Sequence, residues 1–271
     1  MDVGPHASTP TAVRIIRESF PDPPALDTAI SHAILRGVSE GSQPQTFRIH
    51  QPGPVLAFGP LDRLSPGYAK AIEAARSHGF GSVLRLAGGR AAVFHEQTIA
   101  FSWAIPDDQP RLHIERRFRE VSGILASALG DLGVDARVGE VPGEYCPGEF
   151  SVNARGKTKL VGIGQRILLR AAHAGGVVVV AESERVRDVL VPVYEALELD
   201  WDQATAGSLE DEVPGITWED AERAILRRFA ESHDLVEQPL PPEIKLRAGE
   251  LLSAHEVGGG PGGQRSSGRG G

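Results

Sequence analysis

At the centre of the chain stands the sequence Gly143-Glu-Tyr-Cys-Pro-Gly-Glu-Phe-Ser-Val-Asn-Ala-Arg-Gly-Lys-Thr-Lys-Leu-Val-Gly-Ile-Gly-Gln-Arg166. It begins as a polar turn around Cys146 and continues into an apolar run that opens at Lys159, which predicts a loop followed by a strand. Gly162 and Gly164 alternate along that strand and leave one sheet face bare, which suits a ligand or a neighbouring backbone. We therefore expect this segment to bring a loop and a sheet surface together.

Cys146 is the only cysteine among 271 residues, and two interpretations of it stay open. A thiol is a strong nucleophile because a few per cent of it is already thiolate near neutral pH. A lone cysteine is also commonly a small buried hydrophobic residue. Lys159 has the same ambiguity, since its charge can hold an anion or a polarised acyl oxygen, or simply be solvated.

Working outward from this segment, hydrophobic periodicity predicts one continuous domain of strands and helices. Clustered strands with helices before and after them predict an α+β (α/β-layered) fold with a mixed sheet. The predicted helices are 25–38, 65–78 with Ser65 as N-cap, 110–132, 184–197 and 217–232, the last behind a capping box of Thr217 and Asp220. The predicted strands are 46–50, 55–58, 82–86, 91–94, 99–105, 150–152, 159–163, 167–171 and 177–180.

The two ends of the chain differ in composition from the domain. Residues 1–11 are polar and contain proline, so we expect a flexible arm there. Residues 250–271 are predicted to be a disordered Gly-rich tail, because such a composition buries almost nothing. The predicted domain therefore runs from residue 12 to residue 249.

Composition excludes several classes of protein. The formal charge of −8 argues against a general nucleic-acid binder, which would usually be basic. A single cysteine excludes an internal disulfide and fits a reducing, cytoplasmic setting. We expect no signal peptide and no membrane association, because no apolar run approaches the ~20 residues that a span needs. No histidine pair with metal-ligand spacing is present, so we predict no protein metal site.

A second segment, Arg85-Leu-Ala-Gly-Gly-Arg-Ala-Ala-Val-Phe-His-Glu96, ends one predicted strand and begins another. Gly88 and Gly89 allow backbone N–H groups to point at a ligand, and Arg85 and Arg90 add positive charge for a carboxylate, phosphate or acyl oxygen. An ordinary hairpin turn with surface arginines is the alternative.

Two histidines lie near these glycine-rich turns. His95 lies one residue before the end of the second segment and is suited to relay a proton. His173, in Ala172-His-Ala-Gly175, either reaches a site or ends a strand.

Together these segments resemble the lipoate-protein ligase and octanoyltransferase superfamily over roughly residues 12–240. Four ordered motifs carry the resemblance: Phe47-Arg-Ile-His with Pro54-Val-Leu-Ala-Phe-Gly59, the Arg85 segment, Gly156-Lys-Thr-Lys-Leu-Val-Gly-Ile-Gly-Gln-Arg166, and Ala172-His-Ala-Gly175. The resemblance implies a biotin/lipoate protein ligase-like catalytic domain whose mixed, largely antiparallel sheet is flanked by helices. The glycine loop departs from the family pattern, because it is one residue longer and has Ala87 where a serine is usual.

Within the superfamily, Glu144-Tyr-Cys-Pro-Gly-Glu-Phe150 is most similar to the cysteine-dependent octanoyl amidotransferases. ATP-dependent ligases usually lack that cysteine, and many carry a C-terminal accessory domain for which the segment after residue 250 is too short. The resemblance therefore implies an acyltransferase that moves an octanoyl or lipoyl group through a Cys146 thioester onto a lysine. The implied partners are lipoyl-domain proteins, namely 2-oxoacid dehydrogenase E2 subunits and the glycine cleavage H protein.

The resemblance also implies the site. Cys146 and Lys159 are the implied catalytic residues, with Lys159 and backbone N–H groups near Gly88 and Gly89 stabilising the oxyanion. The implied substrate-binding residues are Arg85, Gly88, Gly89, Arg90, His95, Gly162, Gln165 and His173, and the acyl tail is expected against Leu86, Val93, Val161 and Ile163.

Two alternatives remain open at this stage. The first is an ATP-dependent lipoate-protein ligase, which needs ATP and Mg²⁺ but not Cys146, whereas the transferase needs no cofactor. The second is a non-catalytic acyl-binding protein with the same fold.

Overall fold

The computed structural model describes residues 11–257, which form two sheets and seven α-helices. The helices are α1 (Leu26–Glu40), α2 (Tyr68–Ser77), α3 (Ile114–Asp131), α4 (Ser183–Ala196), α5 (Leu209–Glu212), α6 (Trp218–Ala230) and α7 (Pro242–Leu251). The strands are β1 (Thr11–Ile16), β2 (Thr46–His50), β3 (Val55–Phe58), β4 (Gly81–Leu84), β5 (Ala92–Phe94), β6 (Thr98–Pro106), β7 (Ala136–Val138), β8 (Val152–Ala154), β9 (Thr158–Ile167), β10 (Ala171–Val179) and β11 (His233–Glu237).

The larger sheet has eight strands in the order β11-β1-β2-β6-β10-β9-β8-β7. Strand β1 pairs in parallel with both β11 and β2, and every other pairing in this sheet is antiparallel. The smaller sheet has the order β4-β3-β5, in which β3 is parallel to β4 and antiparallel to β5. The predicted fold class, an α+β domain with a mixed and largely antiparallel sheet, is confirmed.

Helices cover both faces of the larger sheet. Helices α3 and α6 pack on one face through Val121, Leu125 and Phe229, while α1 and α7 pack together at the other. Strand β2 is buried along its whole length because both of its faces are covered. Helices α2 and α4 pack against the smaller sheet, which places the loop after β4 beside strands β9 and β10.

A close backbone approach joins two loops near the smaller sheet. A Cβ atom at Gly59, just after β3, would lie 1.8 Å from the carbonyl oxygen of Gly89. Only glycine permits this approach, so the loop that follows β4 is fixed against the end of β3.

Most predicted elements are confirmed, and β2 and β3 have the predicted bounds. The predicted strand at 167–171 is wrong, because residues 168–170 form the turn between β9 and β10. The helix predicted from residue 65 begins at Tyr68, and the Ser65 hydroxyl accepts the Gly67 N–H before it. The capping box of Thr217 and Asp220 is present at α6.

The predicted domain bounds need correction at both ends. Thr11 already belongs to β1, and residues 250–257 complete α7 and a following turn. There the His255 N–H donates to Leu252, and the carbonyl of His255 accepts the N–H of Leu84. These contacts give residues 250–257 backbone partners that composition alone does not reveal. The rest of the predicted arm and tail lies outside the described residues. Within residues 11–257, no helix has the length and apolar character needed to cross a bilayer.

Candidate active site

The loop between β7 and β8 presents Cys146 in a left-handed conformation, with φ at 44°. This conformation is costly for a residue with a side chain, so the surroundings must impose it. The Tyr194 hydroxyl on α4 accepts the Cys146 N–H at 2.9 Å and donates to the Ala91 carbonyl at 3.0 Å. Burial raises the pKa of Tyr194 well above its usual value, so the phenol stays neutral and keeps its proton for donation.

Two donors meet the sulfur of Cys146. The backbone N–H of Arg90 lies 3.2 Å from Sγ, and the Arg85 guanidinium Nη1 lies 3.5 Å from it. Gly89 between them has φ at 107°, and a Cβ atom there would lie 2.9 Å from Sγ. The glycine loop therefore places a backbone N–H group and a guanidinium group against the sulfur.

Lys159 lies directly behind the cysteine loop. Its Nζ donates to the carboxylate Oε1 of Glu144 at 2.8 Å and to the carbonyl oxygens of Tyr145 and Cys146 at 3.0 and 2.7 Å. An ammonium group has three N–H donors, so these three acceptors account for all of them. The buried lysine holds the backbone of Tyr145 and Cys146 in this conformation.

Glu144 completes this arrangement beneath the loop. Its carboxylate also accepts the Ser151 hydroxyl at 2.6 Å and the backbone N–H groups of Gly148 and Val141 at 3.0 and 3.1 Å. Both Glu144 and Lys159 are buried, and a buried ion pair is tolerated when hydrogen bonds satisfy it this fully. The cysteine loop is thus built around a buried carboxylate.

A cleft of about 480 Å³ opens in front of Cys146. Its floor includes Gly162, Gly164 and Gly176 of β9 and β10. A Cβ atom at Gly164 would lie 3.0 Å from the Cβ of Ala87, and one at Gly176 would lie 1.8 Å from the Gly162 carbonyl oxygen, so glycine at these positions permits close packing of the neighbouring loop and strand. Phe118 of α3 and Phe150 form its rim, and their rings stack with centroids 5.0 Å apart. Further apolar residues in the wall are Ile114, Ile163, Ile167, Ala92, Phe94 and Val177. The cleft is suited to a long apolar group attached at the sulfur.

Gln165 lies at the edge of the cleft and fixes α3 to β9. Its amide oxygen accepts from Arg117 at 3.0 Å, and its amide nitrogen donates to the Ile114 carbonyl at 2.8 Å. Arg117 is itself buried and pairs with Asp107 at 2.6 Å. In this conformation Gln165 therefore positions the rim of the cleft.

A second cavity adjoins the cleft, and both share Arg85, Phe94 and Gly176 as walls. It is lined by His173 and by Leu86, and its volume is about 100 Å³. Burial, with Arg85 nearby, lowers the pKa of His173 to about 3, so the imidazole is neutral.

His95 lies outside the lining of both cavities. Its Nδ1 accepts the Gln97 N–H at 3.2 Å, and burial, assisted by the nearby Arg185 charge, lowers the pKa of His95 to about 4. Within residues 11–257, no three His, Cys, Asp or Glu side chains converge as a metal-binding group.

Comparison with known sequences identifies the protein family to which the chain belongs. The lipoyl protein ligase A/B catalytic domain profile matches residues 23–230, which is most of the chain. The chain belongs to the lipoyl protein ligase A/B catalytic domain family. The family predicted from the sequence motifs is therefore confirmed.

Curated relatives of this ligase-family chain carry transferase names. The octanoyl-[GcvH]:protein N-octanoyltransferase of Geobacillus kaustophilus is 29% identical over 138 residues, covering 51% of this chain and 48% of the relative. The protein of that name in Bacillus velezensis is 26% identical, covering 83% and 78%. The lipoyl-[GcvH]:protein N-lipoyltransferase of Listeria monocytogenes is 27% identical, covering 69% and 61%. The alignments with the Geobacillus and Anoxybacillus flavithermus relatives span about half the length of each.

Solved structures of the family share the fold. A lipoate protein ligase of T. acidophilum with bound lipoic acid has a TM-score of 0.72 and 18% identity, covering 90% of this chain and 96% of that chain. A lipoate-protein ligase A bound with ATP has a TM-score of 0.71 and 18% identity, covering 89% and 94%.

The ligase-family fold brings most of the predicted site residues together. Cys146, Lys159, Arg85, Gly88, Gly89, Gly162 and Gln165 all line the cleft. Arg90 contributes its N–H to the sulfur while its side chain turns toward Asp62, and His173 lines the adjoining cavity. Of the residues expected along the acyl tail, Ile163 lines the cleft and Leu86 the adjoining cavity, whereas Val93 and Val161 belong to the hydrophobic cores.

Three residues at this site were not identified from the sequence. Glu144, Asp62 and Tyr194 are buried polar residues whose partners lie in other loops. Glu144 stands two positions before Cys146, so an acidic residue beside the cysteine was the one local signal available. No local pattern marks Asp62 or Tyr194, because their contacts depend on the fold.

Proposed function

We propose that this protein is an octanoyl or lipoyl protein acyltransferase in lipoate assembly, with Cys146 carrying the acyl group. One observation carries the proposal: the Cys146 sulfur opens on an apolar cleft while the Arg90 N–H and the Arg85 guanidinium face it. A thiolate at that position has both a stabilising environment and room for an acyl chain.

In the first step the Cys146 thiolate attacks the acyl carbonyl on a donor protein. A carbon–sulfur bond forms, the bond from that carbon to the donor atom breaks, and the donor atom leaves with a proton. Arg85 and backbone N–H groups of the Gly88–Arg90 loop are the proposed stabilisers of the tetrahedral oxyanion. In the second step an acceptor lysine amine attacks the thioester, forms the amide, loses a proton and releases the thiolate.

Lys159 supports this reaction by holding the cysteine loop. The sequence suggested that its ammonium faces the oxyanion, but in this conformation its three donors are bound to Glu144, Tyr145 and Cys146. Our proposal therefore makes Lys159 a positioning residue, and it assigns the charge near the sulfur to Arg85.

The acyl chain is proposed to lie along the glycine floor of the cleft, between Phe118 and Val177, with the adjoining cavity as its continuation. Each methylene that is removed from water contributes about 0.8 kcal/mol. A seven-carbon tail is therefore anchored by the apolar walls without polar contacts.

The proposed protein partners follow from the names of the relatives. Those names couple an octanoyl or lipoyl group on GcvH with transfer to a protein. For this chain we propose the glycine cleavage H protein and 2-oxoacid dehydrogenase E2 lipoyl domains as donor and acceptor, with a cytoplasmic location.

The test is intact mass spectrometry of the protein after incubation with octanoylated H protein in the absence of ATP and Mg²⁺. Wild type should gain one octanoyl group, and Cys146→Ala should gain none. Addition of apo E2 lipoyl domain should then discharge the adduct and octanoylate that domain.

Two other results would overturn the proposal in favour of the alternatives. Pyrophosphate release that requires free lipoate, ATP and Mg²⁺ and persists in Cys146→Ala would identify a lipoate-protein ligase. Octanoate binding without any adduct or product would identify a non-catalytic acyl-binding protein.

A further inference from the structure

Asp62 is a fully buried carboxylate in the short turn that follows β3, outside the cysteine loop. Its Oδ2 accepts the Gly59 N–H at 2.7 Å, and its Oδ1 lies 3.4 Å from Nη1 of Arg90. Burial raises the pKa of Asp62, while the Gly59 N–H and the Arg90 charge oppose that rise. A carboxylate in such a place requires these partners, because an unpaired buried charge is strongly unfavourable.

Both partners of Asp62, Arg90 and Gly59, are linked by contacts to the Cys146 sulfur. Arg90 donates its own backbone N–H to Cys146 Sγ at 3.2 Å. Gly59 abuts Gly89, the residue that packs against the same sulfur atom. Asp62 therefore binds the side chain of Arg90 directly. It also binds the backbone N–H of Gly59, which packs against Gly89.

We infer that Asp62 is a positioning residue for the nucleophile, which acts by holding Arg90 so that its backbone N–H points at Cys146 Sγ. Asp62 does not itself line the cleft. This inference deepens the proposed function, and it is tested on the thiol itself, so its failure is distinguishable from failure of the transferase proposal.

Electrostatics and positioning predict opposite results when Asp62 loses its charge. Asparagine removes a negative charge near the sulfur and leaves Arg90 without its counter-charge, so charge alone would favour the thiolate. Loss of the Arg90 anchor instead weakens the N–H hydrogen bond to the thiolate and disfavours it. The other charged or titratable groups around the cysteine are unchanged between variants; they are Arg85 after β4, Glu144 and Tyr145 in the cysteine loop, Lys159 on β9 and Tyr194 on α4.

The experiment measures the rate of iodoacetamide alkylation of the full chain against pH for wild type, Asp62→Asn, Arg90→Ala and the double variant. Cys146 is the only cysteine, so the rate reports this thiol alone. We expect the midpoint of the profile to rise by about one pH unit in Asp62→Asn. At a pH below both midpoints, this rise corresponds to a thiolate fraction roughly tenfold lower than in wild type. Arg90→Ala should give a similar rise, and the double variant should add nothing further, because both changes break the same link.

Asp135→Asn is the matched control, because it removes an exposed carboxylate that pairs with Arg137. Its profile should match wild type. A midpoint that falls or stays unchanged in Asp62→Asn overturns the inference, as does full additivity in the double variant. Should Asp62→Asn fail to fold, Arg90→Ala decides: an unchanged midpoint there overturns the inference equally.

Discussion

The ammonium nitrogen of Lys159 lies 2.7 Å from the backbone carbonyl oxygen of Cys146. The link between these residues is therefore through the backbone of Cys146 and not through its sulfur. Because the same nitrogen also pairs with the buried Glu144, the conformation of the cysteine loop depends on a charge pair that solvent does not reach. Loop geometry and protein stability are coupled at this point.

Replacing Lys159 by methionine should destabilise the protein by about 3–5 kcal/mol, because it leaves Glu144 as a buried charge without its partner. The double variant Lys159→Met/Glu144→Gln should be more stable than Lys159→Met alone, since the uncompensated charge is then removed as well. Urea unfolding at pH 7 measures both changes. A Lys159→Met variant within 1 kcal/mol of wild type would contradict a structural role for this pair.

The Cys146→Gly variant should be more stable than the Cys146→Ala variant, because the φ of 44° at this position lies in the left-handed region. That region costs a residue with a Cβ roughly 1–2 kcal/mol, while glycine adopts it freely. We expect Cys146→Gly to exceed Cys146→Ala by about 1 kcal/mol in free energy of unfolding.

The matched comparison is Glu149, whose φ is not in the left-handed region. There alanine should be at least as stable as glycine, because glycine loses more conformational freedom on folding. The same preference for glycine at both positions would show that the effect at Cys146 does not come from its backbone conformation.

Tyr194→Phe should weaken the connection between the cysteine loop and the glycine loop. The change leaves the Cys146 N–H and the Ala91 carbonyl without their shared partner, at a cost of about 1–3 kcal/mol. Alkylation of Cys146 should also slow, because the sulfur is no longer held against Arg90. Urea unfolding and iodoacetamide kinetics provide the two measurements.

Tyr68→Phe is the control, since the Tyr68 hydroxyl is buried without a hydrogen-bond partner among the described residues. Removal of that hydroxyl should leave stability unchanged or slightly raised. Equal losses in the two variants would mean that the Tyr194 bridge contributes nothing specific.

The sequence located the two loops that converge because their signals are local. Glycines follow Arg85 between two predicted strands, a polar turn around Cys146 precedes a predicted strand, and glycines alternate along β9. The partners that fix the loops were missed because they are distant in the chain. Tyr194 contacts a residue 48 positions away, and helical periodicity assigns it only to a buried face.

The missed strands have a similar physical explanation. Strand β11 is largely polar, and its pairing with β1 joins segments more than 200 residues apart. Strand preference depends on such tertiary neighbours more than on local sequence. Strand β1 was detectable, because Val13 and Ile15 alternate with Arg14 in the period of a half-buried strand.

Acid should destabilise the protein from about pH 6.5 downward, because buried histidines stay neutral in the fold. Burial lowers the pKa of His50 and of His173 to about 3 and that of His95 to about 4, from an ordinary value of 6.5. Between these limits the unfolded chain binds more protons than the native protein. The free energy of unfolding therefore falls as pH falls, by up to about 1.4 kcal/mol per pH unit for each histidine.

His95→Gln isolates one of these histidines away from the cleft. Its unfolding free energy should depend less steeply on pH between about 6.5 and 4 than that of wild type, because one group no longer takes up a proton on unfolding. Urea unfolding at several pH values compares slopes and is insensitive to any constant loss of stability. The control is His78→Gln, at an exposed position, which should keep the wild-type slope. A wild-type slope in His95→Gln would contradict the prediction, because it would show that His95 is protonated alike in the native and unfolded states.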